Sequence, residues 1–306
     1  LFHNQRNGTF KEIAVAAEAR GVPTICAFFG SESAENWREV VPHHGAKLVC
    51  MNNAFAHIRD LRDVVEGVKT ILADDGVFIF EVAWLGATVE NGDFANIYHE
   101  HMHYHALAPL LSFFDTCGMH VFDVQSIDTH NGSMRVFVQR LAPYGGHVKP
   151  HPRTAAVADW ADHELQIGLG GEITYAGLHV RIERARYEFR QLFDALVWGP
   201  INAGSAKPKV VVLGCPAKLT TLAYHLGLQH TDVDYVVDDE PRKIGKLTPG
   251  LRWPVRSFEA LVEDPPDIAI VGAYNYADQL IARVKQTLGA KSPTFLNPFP
   301  TPRITK

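Results

Sequence analysis

Asp74-Asp75-Gly76-Val77-Phe78-Ile79-Phe80-Glu81-Val82 decides the fold class. Its first three residues have turn chemistry, and the rest form a near-continuous apolar run. Such a run suits a strand in a parallel sheet covered on both faces, because a strand with one wet face would alternate. Just upstream, residues 60–73 are amphipathic at helical spacing, and residues 46–51 form a second apolar strand that ends at Asn52-Asn53. Further back, residues 31–41 read as a helix capped by Ser31, residues 22–29 as a short strand and turn, and residues 11–20 as a helix stopped by Gly21. Downstream lie a helix over residues 108–117, closed by Gly118, and strands over 119–125 and 134–140. The alternation predicts a doubly wound α/β domain over residues 1–142. Residues 143–208 read as a linker and helical segment, with helices at 154–168 and 176–197. A second α/β domain over residues 209–306 opens with an apolar strand at 209–213, the turn Gly214-Cys215-Pro216-Ala217-Lys218, and a helix at 219–226. Strands at 233–237 and 265–271 and a helix at 276–288 continue it.

The 306 residues suffice for two domains with real cores. A net charge of −5 gives no bulk attraction to nucleic acid or to an anionic membrane. No apolar run reaches transmembrane length, and Leu1-Phe2-His3-Asn4-Gln5-Arg6 is not a signal peptide. Cys26, Cys50, Cys117 and Cys215 lie far apart without a C-x-x-C pair. Apolar neighbours around Cys26 and Cys50 predict buried free thiols in a reducing, cytoplasmic setting. The chain does not begin with Met, and the expectation is a fragment or a processed product.

Three constellations carry chemistry. Asn96-Ile97-Tyr98-His99-Glu100-His101-Met102-His103-Tyr104-His105 holds four histidines, a glutamate and two tyrosines in ten residues. An active-site base, a metal site, a sugar or phosphate clamp and a solvated polar loop all fit it. A glutamate or tyrosine beside a histidine sets its tautomer and basicity. His99, His101 and His103 at alternate positions would converge on a strand, but no distant Cys or Asp motif completes a metal set, so no metal is assigned. Asn52 and Asn53 end a strand, in the place where α/β domains bind ligands, and His57 follows four residues on. The same asparagines also suit a turn cap. The Gly214–Lys218 turn has the form of an anion site, with Lys218 adding charge; a plain tight turn competes. It holds one glycine of the dinucleotide fingerprint, with Asp238 downstream as the acidic partner an NAD site would need.

Together these runs resemble the sugar C-methyltransferases, which add a methyl to carbon 3 of nucleotide-linked 4-keto deoxysugars. Ala17-Glu18-Ala19-Arg20-Gly21-Val22-Pro23-Thr24-Ile25 is similar to A-x-x-x-G-I-P-T-I, and Asn52 through Leu61 to N-N-V-F-A-H-V-P-D-L. Ile97-Tyr98-His99-Glu100-His101 matches I-Y-H-E-H, and Thr129-His130-Asn131-Gly132-Ser133-Met134-Arg135 is similar to T-H-G-G-S-L-R. Gly214 through Lys218 resembles G-A-P-A-K, and Tyr235-Val236-Val237-Asp238 with Gly245-Lys246 and Pro249-Gly250 resembles Y-V-V-D…G-K…P-G.

The resemblance implies a partial Rossmann-like methyltransferase domain, then helices, then a second Rossmann-like domain. It implies S-adenosylmethionine as cofactor and a nucleotide-diphosphate sugar as partner, with no nucleic acid and no membrane. His101, Tyr98, Glu100 and His57 become the catalytic candidates, with His101 as general base. Asn52 and Asn53 become cofactor residues, and His130, Ser133, Arg135, Gly214 and Lys218 substrate residues. The family's zinc-binding cysteine domain and Gly-rich G-S-N-D-G loop have no counterpart in these 306 residues, and Asn131 replaces a glycine. The chain is therefore expected to be a truncated or inactive form that holds the methyl donor more weakly than ~100 μM, because several charge-assisted hydrogen bonds are missing. The alternatives are a non-catalytic nucleotide-sugar-binding protein and an NAD-dependent sugar oxidoreductase.

Overall fold

The computed structural model describes residues 15–37, 44–129, 131–141, 149–299 and 301–305. The chain divides into two compact units, one of residues 1–88 and 99–174, the other of residues 89–98 and 175–306. Among the described residues no helix is long and apolar enough to cross a membrane.

In the first unit a helical stretch at residues 15–18 is followed by α1 (Ser31–Trp37), β1 (Ala46–Asn52), α2 (Leu61–Ile71) and β2 (Leu72–Ala83). Then come α3 (Leu85–Asn91), in which the second unit takes over after Thr88, α4 (Leu107–Thr116), β3 (Met119–Ile127), β4 (Ser133–Arg140) and α5 (Ala155–Gln166). The sheet runs β1-β2-β4-β3. β1 and β2 are parallel, whereas β4 is antiparallel to both of its neighbours. The expected turn at 74–76 is part of β2: pairing jumps from Ala46–Leu72 to Leu48–Val77, so the extra residues bulge and leave Asp74 and Asp75 in water. Residues 22–29, expected to hold a strand, contain none.

The β2 side chains facing the core are Phe78, Phe80 and Val82, all essentially sealed. They pack with Phe55, Phe114, Met119, Val121, Met134, Val136 and Val138, and with Val64, Val65 and Val68 of α2. On the other side Val77 and Ile79 are only half-buried, so β2 is not covered equally on both faces as its composition suggested. β1 is more open still. Leu48 and Cys50 are exposed, as is Cys26, which corrects the expectation that Cys26 and Cys50 are buried. An edge strand pairs on one side only, and apolar composition alone does not bury it.

A remote carboxylate fixes the start of α4. Ala106, at its N-cap, has no side-chain oxygen to offer the free amides of the first turn. Glu164 of α5 takes that role: its carboxylate accepts from Leu107 N at 2.6 Å, Ala108 N at 2.9 Å and Trp84 Nε1 at 2.7 Å. A negative charge at a helix N-terminus is also favoured by the aligned peptide dipoles.

The second unit holds most of the long helix α6 (Glu172–Asn202), then β5 (Val210–Leu213), α7 (Leu219–His225), β6 (Tyr235–Val237) and β7 (Val255–Arg256). It ends with α8 (Ala260–Glu263), β8 (Ile268–Val271), α9 (Ala277–Leu288), β9 (Thr294–Asn297) and β10 (Arg303–Thr305). The sheet order is β10-β9-β8-β5-β6-β7, parallel throughout except for β10. Val210 and Val212 face Phe189, Phe193 and Val197 of α6 and Leu219 and Leu222 of α7. Val211 and Leu213 face Leu261 of α8 and Val284 of α9. Both faces are covered, as a continuous apolar strand requires, and the unit is Rossmann-like.

Candidate active site

β1 ends at Asn52, an exposed side chain at the carboxyl end of a parallel strand. Asn53 then turns the chain with φ +50°, a left-handed conformation that asparagine tolerates better than most residues. Its N–H donates to Glu81 O at 2.9 Å, which keeps the turn on the sheet edge. A single 3₁₀ turn, Phe55–His57, follows. Phe55 is fully buried, with its ring 4.6 Å from that of Phe80, and anchors the turn to the core.

The histidine run is stitched to this turn. Met102 N and His103 N donate to Ala56 O at 2.9 and 3.2 Å, and His57 Nδ1 lies 2.9 Å from Glu100 O. A carbonyl only accepts, so His57 carries its proton on Nδ1 and presents Nε2 as the basic nitrogen when neutral. The rings of His57 and His101 meet edge to face with centroids 4.9 Å apart, and Tyr104 lies 6.2 Å from His101. His57 and His101 are both half-buried. His99 is largely exposed, and its ring stands 3.9 Å from the Glu100 carboxylate. Among the described residues no group of three His, Cys, Asp or Glu side chains is placed to hold a metal ion.

His105 closes the run and differs from the others. It bridges to Trp84, its carbonyl accepts from Leu85 N at 2.8 Å, and its ring lies 5.4 Å from that of Phe55. It is 5% exposed, and burial pulls its pKa down to about 4, with His103 and His101 lowering it further. This is a neutral core histidine, and the dense titratable run gave no sign of the distinction.

The remaining candidates have definite places. Tyr98 is half-buried and is the last residue of the second unit's early segment, so the unit boundary falls between Tyr98 and His99. Arg135 faces Glu81 across the β2–β4 ladder and donates to its carboxylate through Nε at 2.7 Å. Asn52 sits opposite Glu81 on the other side, so Asn52, Glu81 and Arg135 form a polar row across three strands. Ser133 is buried and donates to Thr129 O at 2.9 Å, which closes the hairpin. His130 lies outside the described residues.

Gly214 turns with φ +85°, and a Cβ there would come within 2.5 Å of Ala273 Cβ, so glycine is required on both counts. The rest of this turn is engaged within its own unit. Cys215 N donates to Asp238 Oδ2 at 2.7 Å, and Lys243 Nζ reaches the same carboxylate oxygen at 3.2 Å. Lys218, expected to face a phosphate, is 8% exposed; it donates to Asn275 Oδ1 at 3.0 Å and lies 4.0 Å from the Tyr274 ring centroid. Burial lowers its pKa and the Asp93 carboxylate raises it. Asp93 and Tyr274, which no sequence signal singled out, join it in one buried network.

Residues 128–300 match the sequence profile of the C-methyltransferase C-terminal domain. The chain is also 36% identical over 295 residues to C-methyltransferase NovU of Streptomyces niveus. That match takes in 96% of this chain and 66% of the relative, so the chain spans a little less than two thirds of the relative's length.

Proposed function

The chain belongs to the C-methyltransferase family, and we propose that it takes part in S-adenosylmethionine-dependent methylation of the carbon next to the ketone of a nucleotide-linked keto-deoxysugar. The observation that carries this reading is the His57–His101 pair. Two half-buried imidazoles meet at 4.9 Å, and one of them has its tautomer fixed by a backbone carbonyl.

A ketone acidifies the neighbouring C–H, and a histidine that titrates near neutral pH is suited to remove that proton. His101 is the proposed base. His57, with its proton held on Nδ1, is the proposed relay or second hydrogen-bonding group. Removal of the proton leaves an enolate on the sugar, whose oxygen needs a donor; Tyr98 is the proposed one, with His57 in its imidazolium form as the alternative. Glu100 lends its backbone carbonyl to His57, which leaves its carboxylate for a substrate hydroxyl or for His99.

Asn52 and Asn53 fit one end of the methyl donor. They stand at the carboxyl end of a parallel strand, and an amide group both donates and accepts, as a free amine and carboxylate require. Bound there, the cofactor supplies an electrophilic sulfonium methyl. Arg135 is the proposed cation for the substrate diphosphate: it pairs with Glu81 but its side chain stays partly exposed, whereas Lys218 is sealed. The same geometry speaks against the NAD reading, since Asp238 already accepts from Cys215 N and Glu240 N and pairs with Lys243. Four free cysteines suit the reducing cytoplasm.

Calorimetric titration with S-adenosylmethionine and, separately, with a pyrimidine-nucleotide keto-sugar tests the proposal, followed by mass analysis of the sugar after incubation with both. Binding of both and a gain of one methyl support it. Binding of the sugar nucleotide without methyl gain would point to the non-catalytic binding protein.

A further inference from the structure

The segment that leads into the signature is docked in the core of the second unit. Asp93, Ala95 and Asn96 are almost completely buried, and the ring of Phe94 lies 4.2 Å from that of His225. Asp93 is the hub. Tyr274 OH donates to one of its carboxylate oxygens, and Asn96 Nδ2 donates to the other at 3.0 Å. The ammonium of Lys218 lies 4.0 Å from the Tyr274 ring centroid, a cation–π contact over the ring. The chain then leaves the core: Ile97 is exposed and Tyr98 is half-buried.

Tyr98 bears on this network in turn. Burial pushes the Tyr274 phenol far above its usual range, Asp93 pushes it further by charge and by hydrogen bond, and Tyr98 adds a smaller push in the same direction. Tyr274 is 181 residues away from Asp93 in sequence, so the contact is not a local turn. A buried carboxylate that accepts two hydrogen bonds and faces a buried lysine is costly unless every partner is in place, so the arrangement has one low-energy form.

We propose that Tyr274 and Lys218 are positioning residues for Tyr98: through Asp93 they clamp the segment that carries it, so that its phenol is presented to the substrate in one orientation. This rests on reading Tyr98 as the donor to the enolate. A clamp lowers the entropy that Tyr98 would otherwise lose in reaching the transition state, and so acts on turnover more than on substrate affinity.

Methyl transfer by the full chain is measured for Tyr98→Phe, Tyr274→Phe and the double variant, with amide hydrogen exchange followed over residues 93–98. Tyr274→Phe removes only the hydroxyl that reaches Asp93. It should lower kcat about tenfold with KM within about twofold, and the same change made on top of Tyr98→Phe should cost less than about twofold, because its partner is already gone. Lys218→Met should behave likewise. Amides of 93–98 should exchange about tenfold faster in Tyr274→Phe while those of β5 stay protected. Fully additive losses in the double variant would overturn the clamp, and so would unchanged exchange over 93–98, whether or not methyl transfer is detected. Full turnover by Tyr98→Phe would instead remove the catalytic reading on which the clamp depends.

Discussion

His57 and His101 keep their rings partly in water, whereas Asp93 and Lys218 are 1% and 8% exposed. The first unit thus offers this histidine pair at the surface of a loop, and the second seals its Asp93–Lys218 set inside a core. The difference follows from what each set can do. A base that takes a proton from a substrate must exist in both protonation states, and partial solvation keeps both affordable. A network that holds a segment in place needs one fixed state, and burial among hydrogen-bond partners supplies it. Histidine suits the first task, and an aspartate–tyrosine–lysine set the second.

The largest effect that would break this comparison lies in the sealed network. Asp93→Ala should destabilise the second unit by about 2–4 kcal/mol, because it leaves two buried donors without an acceptor. Urea unfolding followed by circular dichroism reads this directly. A loss under about 1 kcal/mol would mean that the network tolerates being opened.

A similar test applies to the buried carboxylate of the first unit. Glu164→Ala strips two helix amides and the Trp84 indole of their acceptor, and should cost about 3 kcal/mol. Thermal unfolding with and without Trp84→Phe separates the cap from the indole bond. Full additivity of the two changes would argue that they do not share a partner.

His105 predicts a pH dependence within the first unit. Its folded pKa is about 4 against an ordinary 6.5, so below pH 6.5 the unfolded chain binds a proton that the folded chain refuses. Its neutral form therefore contributes fully above pH 6.5, and stability falls as pH drops from 6.5 toward 4, by up to about 3 kcal/mol. His105→Phe should flatten that part of a denaturation-versus-pH profile. A profile unchanged by the substitution would place the pH dependence on other groups.

Much of this could be read in the sequence, and the failures share a cause. The apolar runs at 210–213 and 268–271 are strands covered on both faces, as their composition demands. The run at 46–51 looked much the same yet forms an exposed edge, because burial depends on which strands lie beside it. Asp74-Asp75-Gly76 has turn chemistry but is absorbed as a bulge, since pairing with β1 resumes beyond it. His57 and the 99–103 loop were legible as separate motifs, and the structure adds that Ala56 and Glu100 tie them together. The roles of Glu164, Asp93 and Lys218 were not legible. Each depends on a partner more than 50 residues away, and local pattern carries no record of such contacts.

The central claim is that His101 removes the proton next to the ketone, and isotope exchange isolates that step. A keto-sugar nucleotide incubated with the protein in heavy water, without methyl donor, should gain deuterium at the carbon next to the ketone. His101→Ala should slow that gain about 100-fold or more, with sugar-nucleotide affinity within about threefold of the original. Exchange by His101→Ala at the original rate would contradict the account and move the base to His57 or His99.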